Sequence, residues 1–192
     1  IIYLYNLKSQ NKISGKLTVK NKEEIKLIFK KLDEFLKLHI LHQKEAGAEI
    51  IQIFDSWAGL IEEDCLEEYC FTPNKSLVDF CRDHKIPSIC FPKGLKDKYK
   101  KFIEKVNPTA INIDQDIDPT WAKKELGTVC IQGGMNPQIL LENEKKALEE
   151  TEKYLETFKN NPYIFNLGHG ILPNTNPEII KKIVDKVNLI KR

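Results

Sequence analysis

The chain has 192 residues, 41% hydrophobic and 30% charged, which describes a globular protein with enough chain for one sizeable core. Lys and Arg together number 30 against 28 Asp and Glu, a net charge of +2, so no strong field points to nucleic acid or to an anionic membrane as a partner. Arg82 and Arg192 are the only arginines, and bidentate grip on carboxylate or phosphate favours arginine over lysine.

The five cysteines (Cys65, Cys70, Cys81, Cys90, Cys130) form no C-x-x-C pair. Dispersed thiols suit a reducing, cytoplasmic setting better than a disulfide framework. The longest apolar run is too short to span a bilayer, and no signal-peptide pattern opens the chain. The sequence begins Ile1-Ile2-Tyr3 and its single methionine is Met135, which reads as an internal start within something longer.

In chain order, residues 22–46 read as a long amphipathic helix, with Ile25, Ile28, Phe29, Leu32, Phe35, Leu36 and His39 at three- and four-residue spacing. Gly47 is placed to cap it. Glu49 to Phe54 reads as a buried strand, followed by the turn Asp55-Ser56-Trp57-Ala58-Gly59. Helical periodicity covers 62–71 and, after a break at Pro73, 75–84. Pro87 to Phe91 is a strand closed by Pro92-Lys93-Gly94, and 96–106 is helical. Ala110 to Ile113 is a strand running into Asp114-Gln115-Asp116. A short helix over 119–126 opens with proline at its first position. Thr128 to Ile131 is a strand ending in Gln132-Gly133-Gly134, 138–159 one long helix, Tyr163 to Phe165 a strand, and 176–189 the closing helix.

Short, continuously apolar strands alternating with helices are the signature of parallel strands covered on both faces. Ligands of such folds bind at the carboxyl ends of the strands. The polar residues there are Asp55, Ser56, Lys93, Asp114, Gln115, Asp116, Gln132, Asn166 and His169. No strand is followed by a glycine-rich dinucleotide motif or a phosphate loop. His169 between Gly168 and Gly170 sits in a turn that leaves its imidazole facing open space. The residues alone leave an ordinary loop histidine equally open, and Ser56 an ordinary turn serine. Asp114, Asp116 and Asp118 lack a full set of oxygen ligands for a metal, so strand-end solvation and helix capping are the expected roles. His39, His42 and His84 lie in helical segments and read as structural or surface residues.

Four segments carry a resemblance: Phe54-Asp55-Ser56-Trp57-Ala58-Gly59, Ile113-Asp114-Gln115, Gln132-Gly133-Gly134-Met135-Asn136-Pro137 and Phe165-Asn166-Leu167-Gly168-His169-Gly170-Ile171-Leu172-Pro173. In this order, from about Ile50 to the C-terminus, they resemble the uroporphyrinogen decarboxylase family. The resemblance implies a (β/α)₈ barrel of the TIM type, working as a homodimer in haem and tetrapyrrole biosynthesis. It implies removal of carbon dioxide from the acetate side chains of uroporphyrinogen III to give coproporphyrinogen III, with no metal and no organic cofactor. A full barrel needs about 250 residues. Residues 1–192 are therefore expected to be the C-terminal part of a single barrel domain, incomplete, with about five βα units and the N-terminal strands absent.

Carried over position by position, the resemblance makes Ser56 and His169 substrate-binding residues, and it suggests Tyr3 as a third on the strength of a few terminal residues. Asp55 is expected to orient the turn in the manner of an Asx residue. The family's arginine-bearing N-terminal motif is absent, and so is the aspartate that hydrogen-bonds the pyrrole N–H groups. Gly134 and Asn136 replace the asparagine and aspartate of the family's Gln-Gly-Asn-Leu-Asp-Pro: Gly134 loses a polar side chain, while Asn136 still suits a turn before Pro137.

The chemistry needs an electron sink. A carboxylate on a methylene attached to pyrrole loses carbon dioxide only once the ring carbon is protonated. An enzyme must then stabilise a cationic ring and hold several carboxylates. Ser56 and His169 offer hydrogen-bond donors for the second task only, so no residue of this chain is assigned the catalytic carboxylate's role and the chain alone is expected to be inactive. Two other readings stand beside this one: an inactive half-barrel, and a corrinoid-type methyltransferase relative on the same fold, which would carry zinc on histidine and cysteine.

Overall fold

A computed structural model describes residues 22–190. The chain divides into two compact units, Ile1–Pro108 and Thr109–Arg192.

In the first unit, helix α1 spans Lys22–Glu45. It ends in a Schellman motif: Gly47, at φ +102°, donates from N to Lys44 O at 2.9 Å, and Ala48 N donates to Gln43 O at 2.9 Å. Strand β1 (Ile51–Asp55) follows, then short 3₁₀ turns at Ala58–Leu60 and Glu63–Cys65. A π turn over Glu67–Phe71 runs directly into α2 (Thr72–Asp83). The break expected at Pro73 does not occur. Pro73 stands in the first turn of α2, directly after the π turn. The chain widens just before it, so that Thr72 N donates to Glu67 O. Strand β2 (Ser88–Pro92) pairs in parallel with β1, Ile51 opposite Ser88 and Asp55 opposite Pro92. A 3₁₀ turn then leads into α3 (Tyr99–Val106).

Ile40, Ile51, Leu77, Cys81 and Ile86 form the buried cluster that seats α1 and α2 against β1. The apolar stripe read along α1 is only partly covered. Ile25 is buried and Phe29 stacks on Tyr69 at 5.8 Å, but Leu32, Phe35 and Leu36 are exposed. At about 1.5 Å per residue, the 24-residue α1 is twice as long as the 12-residue α2 beside it, so α2 cannot shield its whole length.

The second unit contains β3 (Ala110–Ile113), α4 (Pro119–Leu126), β4 (Cys130–Gly133), α5 (Ile139–Glu142), α6 (Glu144–Thr157), β5 (Tyr163–Ile164) and α7 (Pro177–Leu189). The strands are parallel, Ala110 opposite Cys130 and Ile131 opposite Tyr163. Strand β4 starts two residues later than the sequence suggests, which brings Gln132 and Gly133 inside it. The single helix expected over 138–159 is two helices. Asn143 is extended (φ −162°, ψ 161°), and its side chain accepts from Lys146 N at 2.9 Å, capping α6. Helix α7 lies along α6, with Ile183 buried and Lys182 paired to Glu144 at 2.6 Å.

The architecture is α/β with parallel strands. Among the described residues no helix is long and apolar enough to cross a membrane.

Candidate functional site

Strand alternation sorts the side chains of β1 into two sets. Ile51 and Ile53 join the cluster beneath the helices. Phe54 points the other way, 66% exposed, and meets Phe91 of β2 edge-to-face at 6.1 Å. Asp55 takes the helix side. Its Oδ2 accepts from Asn74 Nδ2 of α2 at 3.1 Å, and Asn74 Nδ2 also donates to Cys70 O at 2.9 Å. Asp55 thus ties the turn to α2 rather than making the Asx-type bond expected of it. Burial raises the Asp55 carboxyl pKa above its ordinary value, with hydrogen bonds from Cys70 and Asn74 pulling it partly back. Burial, reinforced by the charge of Asp55, pushes the Cys70 and Cys90 thiols far up, which makes them packing groups rather than nucleophiles.

Ser56 stands exposed at the tip, and its hydroxyl has no hydrogen-bond partner among the described residues. Two backbone bonds bind its turn to the one after β2: Lys93 N donates to Asp55 O at 3.2 Å, and Gly59 N donates to Lys93 O at 2.9 Å. The glycines make this possible. A Cβ on Gly59 would lie 2.6 Å from Gly94 O, and Gly94 itself has φ +84°. A cavity of about 200 Å³ beside the turn is lined by Ala58, Gly59, Glu63, Gly94, Lys96 and Lys98 among others.

In the second unit, Asn112 of β3 and Gln132 of β4 stand opposite each other, both buried, with Gln132 Nε2 donating to Asn112 Oδ1 at 2.7 Å. Asp114, just past β3, is 2% exposed. It is therefore not the solvated strand-end residue expected, and its Oδ1 accepts from Asp116 N at 3.1 Å. Asp118 does cap α4, accepting from Trp121 N at 2.8 Å.

Gly133 and Gly134 adopt φ +85° and +104°, and their carbonyls accept from the hydroxyls of Tyr163 (3.0 Å) and Tyr154 (2.8 Å). Burial pushes the Tyr154 hydroxyl far up, which keeps it a donor. A side chain at Gly134 would be strained at this φ, with its Cβ 3.0 Å from Ile113 Cδ1 and from Tyr154 Cε1. Asn136 starts the expected turn, its Oδ1 accepting from Gln138 N at 2.9 Å.

The turn after β5 closes on these two. Leu167 bridges Met135 in parallel, and Gly168 N donates to Met135 O at 2.8 Å. Gly168 also lies flat against the backbone of Asp114 and Gln115, where a Cβ would sit 2.7 Å from Gln115 Cα. His169 follows directly, exposed, with no partner for its ring nitrogens among the described residues. Three strand-end turns of this unit therefore hold His169 out to solvent from a fixed base. A further cavity, about 240 Å³ between the β5 turn and α7, is lined by Phe165, Leu167, Ile171, Ile183 and Val187 among others.

Tyr3 lies outside the described residues. The sequence reading missed Asn74, Tyr154 and Tyr163. Each is a buried polar group on an element whose periodicity reads as core, and only its contact with a strand-end turn reveals its use. The sequence places Phe54 in a buried strand; its exposure makes it an apolar surface beside Ser56. Among the described residues, no group of three His, Cys, Asp or Glu is placed to hold a metal ion.

The family model described as uroporphyrinogen decarboxylase (URO-D) matches residues 4–189. Curated relatives named uroporphyrinogen decarboxylase include that of Wolbachia sp. subsp. Brugia malayi, 38% identical over 162 residues (83% of this chain, 46% of the relative). That of Rickettsia felis is 35% identical over 191 residues (96% and 55%), and that of Rickettsia bellii 37% over 179 (92% and 53%). The chain spans about half the length of the curated relatives it matches.

Proposed function

This chain belongs to the uroporphyrinogen decarboxylase family, and on that premise we propose that it binds uroporphyrinogen III and serves its decarboxylation to coproporphyrinogen III, a step of haem and tetrapyrrole biosynthesis. The reading includes a (β/α)₈ barrel to which this chain contributes its C-terminal βα units, a cytoplasmic location and a homodimeric assembly. The observation that carries it is the strand-end position of the family's motif residues. Ser56 directly follows β1, and His169 crowns the turn locked onto Met135, Asp114 and Gln115.

The division of labour follows from the chemistry. Carbon dioxide leaves an acetate arm only when the pyrrole carbon bearing it has been protonated and the ring can take up the electron pair. The Ser56 hydroxyl and the His169 imidazole hold and orient carboxylate arms as hydrogen-bond donors. Phe54 offers an apolar surface to the macrocycle. The carboxylate that stabilises the cationic ring is assigned to no residue of this chain, so turnover is proposed to require the part of the barrel that the longer relatives carry.

The test is an anaerobic titration of the chain with uroporphyrinogen III, followed by product analysis with and without the remaining segment of a relative. Binding by the chain alone and turnover only with that segment are expected. Ser56→Ala and His169→Ala should each weaken binding about tenfold, as for loss of a hydrogen bond to a charged group. Unaltered affinity in His169→Ala would remove His169 from the site.

A further inference from the structure

We infer that Lys93 supplies the cation that pairs with a substrate carboxylate beside Ser56, and so selects for a polycarboxylate macrocycle; this deepens the proposed function and rests on it. The first argument is supply. A ligand carrying carboxylates around its rim needs positive charge at the strand ends, and this chain is poor in arginine. Arg82, the arginine among the described residues, is engaged elsewhere: Nη1 donates to Asp79 Oδ1 and Nη2 to Asn107 O, each at 2.7 Å. The residues that directly follow the strands are Ser56, Lys93, Asp114, Gly134 and Phe165. Lys93 is the one cation in that set.

The second argument is placement. Lys93 is bonded through its backbone to both arms of the Ser56 turn, N–H to Asp55 O and carbonyl to Gly59 N. Back-to-back Gly59 and Gly94 hold the two turns at a separation that no side chain would allow. Pro92 stands opposite Asp55, whose side chain faces α2. Alternation extended one residue past β2 would set Lys93 toward the other face, that of Phe54 and Phe91. Lys93 and Ser56 thus stand on one fixed pair of turns, next to the exposed ring of Phe54.

The third argument is availability. Lys93 is half-buried, and its ammonium has no partner among the described residues. Nearby Lys98 is committed to Glu63 at 3.3 Å. A half-buried lysine without an ion-pair partner keeps its charge available to a ligand. As a point charge it asks for no bidentate geometry, which suits flexible acetate and propionate arms.

The experiment is equilibrium binding of uroporphyrinogen III, kept reduced, to the whole chain and to its Lys93→Met and Lys93→Arg variants at low and high salt, with thermal unfolding as the fold control. Lys93→Met keeps the apolar stem and should bind about tenfold more weakly at low salt. Lys93→Arg should bind within about twofold of the parent, and the gap between parent and Lys93→Met should close at high salt, where a paired charge is screened. Equal affinity of parent and Lys93→Met, no rescue by arginine, or a loss that ignores salt would each overturn the role of Lys93 while leaving the proposed function standing. Failure of the parent chain to bind the ligand at all would overturn both.

Discussion

A methyl group added to Gly168 would overlap the backbone of Gln115, whereas one added to Gly170 meets nothing within 4 Å. In sequence the two glycines flank His169 symmetrically and both look like sources of bend. Neither has a left-handed φ; Gly168 is needed for close approach, and Gly170 is free. Gly168→Ala should cost about 1–3 kcal/mol, as overpacking does. Gly170→Ala should be neutral or slightly stabilising, since it narrows the unfolded ensemble; urea unfolding of the two variants decides. Such a distinction is invisible along the chain, because the obstructing residue lies more than fifty positions away. The exposure of His169 and Ser56 was legible, since a polar residue in a turn just past an apolar strand has few places to go. The partner of Asp55 was not. Because burial raises its pKa, the folded chain holds the Asp55 proton more tightly than the unfolded chain, whose carboxyl titrates near 3.8. Stability is therefore lost as pH rises from that value through the raised folded pKa, and no further above it. Asp55→Asn has no such loss. The stability of the parent relative to this variant should fall across that window, and a gap independent of pH would show that Asp55 is not desolvated.

At the scale of elements, two helices end in the same way with different residues. Gly47 closes α1 in a left-handed conformation, as its sequence announces. Lys85 closes α2 in the same motif at φ +57°, with Lys85 N bonded to Arg82 O at 2.9 Å and Ile86 N to Cys81 O at 2.8 Å. Lysine gives no C-cap signal, so that end was read from periodicity alone. A residue with a Cβ pays about 1 kcal/mol for this conformation, so Lys85→Gly should raise stability by about 0.5–1 kcal/mol, readable in the urea midpoint at unchanged slope. Asn143 and Pro73 mark two places where the local pattern misleads. The apolar residues Ile139, Leu140 and Leu141 continue into the period of α6, which hides a legible N-cap at Asn143. Pro73 looks like a stop, but the π turn ahead of it lets the helical path continue.

Across the whole chain, the alternation of apolar strands and amphipathic helices was legible because burial on both faces leaves a strand few polar positions; β2 and β3 are buried at every residue, with Ser88 and Asn112 as their polar members. Charge was less legible, since 30 cations and 28 anions say nothing about which are used. Among the described residues, many ion pairs lie within one turn of one helix and are exposed, such as Lys26 with Glu23 and Lys145 with Glu149. Each is worth about 0–1 kcal/mol and is screened by salt. Like-charge crowding is also slight at a net charge of +2, so salt has little to relieve. Raising sodium chloride from about 0.05 M to about 0.5 M, which shortens the Debye length severalfold, should move the free energy of unfolding by less than about 1 kcal/mol. Binding of a polycarboxylate at Lys93 uses charge differently: one cation, held on a fixed pair of turns, facing several anions on one ligand. The same change in salt should weaken uroporphyrinogen III binding severalfold. Unfolding and binding measured on one preparation across one salt series therefore separate charge that solvates the fold from charge that recognises the substrate. A parallel loss of both would mean that the ion pairs, and not the packed strands and helices, hold the binding turns in place.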